Sequence, residues 1–69
     1  MKGIMMIVDK LNSSTYRVIL GSAEGQTYYI QKRKTGTWAV AQKGEILDFA
    51  PTRDQAINAA VSIFNGVTA

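Results

Sequence analysis

Tyr28-Tyr29-Ile30-Gln31-Lys32-Arg33-Lys34-Thr35-Gly36-Thr37-Trp38-Ala39-Val40-Ala41-Gln42 is the stretch that decides the fold. Aromatic and β-branched residues favour extended backbone on both sides of Lys34-Thr35-Gly36, where glycine supplies the freedom a turn needs. Strands joined this closely pair as an antiparallel hairpin, because a parallel return needs a crossover of about a dozen residues or more. Downstream, Lys43-Gly44 makes a second tight connection into Glu45-Ile46-Leu47-Asp48-Phe49, short enough for an edge strand. Upstream, residues 15–21 carry Tyr16, Val18 and Leu20 in alternation with Arg17 and Ile19, and stop at the turn Gly21-Ser22-Ala23-Glu24-Gly25. Before that, Ile4-Met5-Met6-Ile7-Val8 is a continuous apolar run, closed by Asp9-Lys10-Leu11-Asn12-Ser13-Ser14.

After Pro51 the period changes. Thr52-Arg53-Asp54-Gln55 reads as a capping box, with the Thr52 hydroxyl accepting from first-turn amides and Asp54 near the positive helix end. Ala56, Ile57, Ala60, Val61 and Phe64 then recur at helical spacing, and Gly66 stands where a left-handed C-terminal cap belongs. The expectation is an α+β fold: an antiparallel β-meander of about five strands with one C-terminal α-helix packed on one face. The strands are expected at about 3–9, 15–21, 26–33, 37–42 and 45–49, and the helix at about 53–65. A faint repeat lays Thr15-Tyr16-Arg17-Val18 over Thr37-Trp38-Ala39-Val40, a likeness that any two amphipathic hairpins share.

Sixty-nine residues with 46% apolar and 19% charged side chains suit a single domain. A chain of this size buries only about 60% of its unfolded surface. There is no Cys and no His, so no disulfide, thiolate nucleophile, imidazole base or ordinary zinc site is available. The carboxylates Asp9, Glu24, Glu45, Asp48 and Asp54 are scattered over expected turns, an edge and a helix cap, which argues against paired acid-base work. The glycine-bounded turn at residues 21–25 lacks the helix and lysine of a phosphate loop. These readings imply no enzyme, no cofactor and no metal. The apolar run at residues 3–8 is shorter than a signal-peptide core, and nothing approaches a membrane span, so a cytoplasmic location is expected.

Eight Lys and Arg against five Asp and Glu leave a formal charge of +3, a mild bias toward anionic partners. Alternation distributes that charge. If Trp38 and Val40 face the helix, they are joined by Tyr16, Val18, Leu20, Tyr28, Ile30, Leu47 and Phe49. The other face then carries Arg17, Ile19, Tyr29, Gln31, Arg33, Ala39, Ala41, Lys43, Ile46 and Asp48. Arg17, Arg33 and Lys43 can neutralise phosphates, Gln31 can hydrogen-bond a base edge, and Tyr29 can stack on an unpaired base. The run Lys32-Arg33-Lys34 also fits a solvated strand end that discourages edge aggregation. Alternatively Ile19, Ala39, Ala41, Ile46 and the methionines Met1, Met5 and Met6 make an adaptable apolar surface for an acidic protein or a second copy of the chain.

From Tyr28 to Asn65, the basic hairpin, the Thr37-Trp38-Ala39-Val40 strand, the short strand ending in Phe49 and the Thr52–Ala56 helix start resemble a recurring small module. It is similar to the arm-binding domains of tyrosine recombinases and to plant ethylene-response DNA-binding domains, and also to small bacterial or phage proteins of unknown function. The resemblance implies a three-stranded sheet entering the DNA major groove with one helix behind it. By position, Tyr29, Gln31, Arg33, Ala39, Ala41 and Lys43 would face DNA. Together these readings lead to a non-catalytic module that binds nucleic acid through Arg17, Tyr29, Gln31, Arg33 and Lys43. The alternative is a protein-binding regulator or inhibitor of phage or mobile-element accessory type, and homodimeric.

Overall fold

The computed structural model describes residues 6–21 and 26–68. Five strands, β1 (Met6–Asn12), β2 (Thr15–Leu20), β3 (Gln26–Lys32), β4 (Trp38–Gln42) and β5 (Glu45–Ala50), precede one helix, α1 (Arg53–Thr68). Each strand pairs antiparallel with the next, so sequence order is sheet order. This is the expected α+β meander. The start of the first strand at residues 3–5 and most of the turn at 21–25 lie outside the described residues, as do Met1 and Met5.

Local chemistry explains the connections. The Asn12 side chain accepts a 2.8 Å bond from the Ser14 amide, so that Ser13 and Ser14 close the first hairpin in two residues. Gly36, at φ 92°, lets the β3–β4 turn close through bonds from the Gly36 amide to the Arg33 carbonyl and from the Arg33 amide to the Thr37 carbonyl. At the β4–β5 turn, Lys43 and Gly44 both have positive φ, 54° and 82°, the pairing that matches the twist of two-residue hairpins. The Thr52 hydroxyl accepts the Gln55 amide at 3.2 Å, half of the expected capping box.

Val18, Leu20, Tyr28, Ile30, Val40, Ala50, Ala56 and Ala60 form the buried core, with Tyr16, Trp38, Ile57, Val61 and Phe64 packed around it. Ala56 and Ala60 bring α1 close to the sheet, and the helix spans β2 to β5 without reaching β1. Burial pushes the Tyr28 phenol pKa up, so the ring stays neutral through ordinary pH. No helix among the described residues is long and apolar enough to cross a membrane.

Four expectations are corrected. β1 runs on to Asn12, because pairing with β2 continues past Asp9 and an irregularity between Lys10 and Asn12 absorbs Leu11. α1 passes through Gly66 to Thr68, since Gly66 takes no positive φ and ends nothing. Phe49 and Leu47 are not core residues. They are exposed, and Ala50 is buried instead. Asp48 does not share the face of Ala39 and Ala41 but stands opposite Val40. The cause of both strand-five changes is a bulge: Ala41 pairs with Ile46 and Val40 with Asp48, so Leu47 is left without a partner. One extra residue exchanges the two faces of everything after it. The chain turns from β5 through Pro51 and Thr52 directly into α1, and Ala50, buried in the core, lies opposite Trp38.

Candidate nucleic-acid interface

The face turned away from α1 is assembled from cross-strand rows. One row runs Asp9, Arg17, Tyr29, Ala41, Ile46, and the next Thr15, Gln31, Ala39, Phe49. Ile7 and Ile19 oppose each other a step further along. Ala39 is 1% exposed although it lies outside the helix-side core, so the middle of this face is a floor of two alanines with larger side chains standing around it.

Tyr29 is 36% exposed and Phe49 53% exposed, and they stand diagonally across that floor. The Arg33 guanidinium lies over the Phe49 ring, 5.3 Å from its centroid, a cation–π contact that holds the charge at the rim. Near the two ends of β3 the surface has two hollows, each lined by side chains from both faces of the sheet. One, of about 400 Å³, is lined by Gln26, Thr27, Tyr29, Gln42 and Lys43; the other, of about 360 Å³, by Gln31, Lys32, Arg33, Lys34 and Thr35. The expected site residues thus fall into two pairs, Tyr29 with Lys43 and Gln31 with Arg33.

Arg17 is different. Its Nη2 donates to Asp9 at 3.0 Å, and its Nε is screened from solvent with no acceptor. Asp9 holds the guanidinium pKa above its ordinary value. Arg17 lies opposite Tyr29, but its charge is already balanced.

Asp9 is the one carboxylate that the described register places on this face. Asp48 and Glu45 fall on the other, opposite Val40 and Gln42. Lys32, Arg33, Lys34 and Lys43 make no ion pair among the described residues. Lys32 stands opposite Trp38 on the helix side, so the open face takes its rim charge from Arg33 beside Phe49 and Lys43 beside Tyr29, with two exposed rings and a small centre. Sequence reasoning missed Phe49, because alternation without a bulge sends it to the core. It also missed a third hollow, about 330 Å³, lined by Ser13, Tyr16, Lys32, Trp38, Thr52, Arg53 and Asp54 beside the start of α1. There the Arg53 guanidinium lies 5.2 Å from the Tyr16 ring centroid and is paired with Asp54.

Compared with known proteins, the chain matches no family model, no curated protein and no solved structure.

Proposed function

We propose that this protein is a non-catalytic module that binds nucleic acid through the open face of its sheet. The supporting observation is the segregation of charge. The bulge in β5 turns Asp48 away, Arg17 is paired with Asp9, and Arg33 and Lys43, near opposite ends of β3, make no ion pair among the described residues. Phosphates are met by Arg33 and Lys43, while Gln31 and Tyr29 reach bases from the strand between them.

Salt dependence tests this. Two phosphates neutralised by Arg33 and Lys43 give log affinity against log salt a slope of about −1.4 to −1.8. Arg33→Ala with Lys43→Ala is expected to flatten the slope and weaken oligonucleotide binding while leaving the melting temperature nearly unchanged. Wild-type binding by the double variant, measured by fluorescence anisotropy, removes the proposal.

One observation favours a second reading. β1 is an outer strand without a helix over it, and Met6, Ile7, Val8 and Leu11 are 42–49% exposed. An unpaired edge with apolar side chains on both faces suits strand addition by a protein, a second copy included.

A further inference from the structure

We infer that the open face takes unpaired strands in preference to duplex, with Phe49 as its principal stacking platform. The inference rests on the nucleic-acid reading above and names the form of nucleic acid. A duplex presents its base edges at the bottom of a groove, so a sheet that reads them needs long side chains at its centre. Here the centre is Ala39 and Ala41, recessed between taller neighbours. Such a floor stops short of groove-bound base edges but leaves room for a flat, splayed base.

The ring faces match the same occupant. Phe49 stands on the edge strand, more than half exposed, and Tyr29 stands two strands away across the alanines. From a strand spacing of about 4.8 Å and a rise of about 3.4 Å per residue, their Cα atoms are roughly 12 Å apart. The two rings thus offer separate platforms to non-adjacent bases of one strand. Arg33 already shows that a planar group can lie on Phe49: its guanidinium occupies the ring face at 5.3 Å. A base that replaces it on the ring frees that guanidinium, on the same rim, for a neighbouring phosphate. Stacking on an exposed ring is tolerant of sequence because every base has a π-face.

The test measures anisotropy of a labelled oligothymidylate of about 12 nucleotides, a length within the usual span of single-strand sites. The same strand annealed to oligoadenylate, and an oligouridylate, form the other arms. Single strands are expected to bind at least tenfold more tightly than the duplex, with the oligouridylate arm separating RNA from DNA preference. Phe49→Leu keeps apolar bulk and removes the π-face. It should lower single-strand affinity about 5- to 150-fold with an unchanged salt slope and melting temperature, while Phe49→Trp retains binding. Equal binding of duplex and single strand, or wild-type affinity in Phe49→Leu, overturns the inference and leaves the nucleic-acid reading standing. Absence of binding in every arm overturns both.

Discussion

Lys43 holds a left-handed backbone, φ 54°, in the two-residue turn between β4 and β5. Asn, Asp and Gly adopt this conformation with little cost, and Lys does not. A non-glycine residue held in this region stores backbone strain. Lys43→Asn is expected to raise stability by about 0.5–1 kcal/mol, a few degrees in melting temperature. The same change should flatten the salt slope of oligonucleotide binding by about 0.7–0.9. Calorimetry and a salt titration check the two halves, and a lowered melting temperature would show that the turn prefers Lys43. Arg17 teaches the opposite lesson. Its residue type suggests a phosphate contact, yet the β1–β2 register places Asp9 directly across from it, and the half-exposed 3.0 Å pair sets a carboxylate beside the guanidinium that a phosphate would have to displace.

Among the elements, β5 carries the largest difference from simple alternation. With Leu47 unpaired, Phe49 stands on the open face and Ala50 lies beneath the start of α1. Ala50→Leu is therefore expected to cost about 1–3 kcal/mol by overpacking the space between Trp38 and the helix. Phe49→Ser, on the exposed face, should cost under about 1 kcal/mol. Denaturant melts of the two variants check the order, and the reverse order would mean that the strand is in phase throughout. At the other end of the sheet β1 outlasts its apolar run, because ladder hydrogen bonds to β2 satisfy the backbone whatever the side chains are. Gly66 lies near the end of α1, where it continues the helix and no left-handed cap is formed.

The whole molecule is a five-stranded sheet with a helix long enough for four strands. Its 16 residues span β2 to β5, and among the described elements β1 contacts β2 alone. Self-association through β1 makes a specific demand: sedimentation of the wild type should shift with concentration, and Val8→Lys, which charges the exposed edge, should remove the shift. A wild type that sediments as a monomer at every concentration eliminates a second copy as the partner of that edge. Most of the architecture was legible beforehand. Short polar connections forced antiparallel neighbours, Thr52 and the spacing of Ala56 and Ala60 placed the helix, and alternation put Val18, Leu20, Tyr28, Ile30 and Val40 beneath it. Alternation along β3 likewise assigned Tyr29 and Gln31 to the face away from the helix, whereas Arg33 and Lys43 lie in the turns that follow β3 and β4. Those properties are local, carried by a few consecutive residues and their backbone geometry. The bulge at Leu47, the exposure of Phe49, the turning away of Asp48 and the capture of Arg17 by Asp9 emerged only on assembly. Each depends on which residue of a neighbouring strand stands opposite, and that register is settled between strands as they pair, not within the sequence of any one of them.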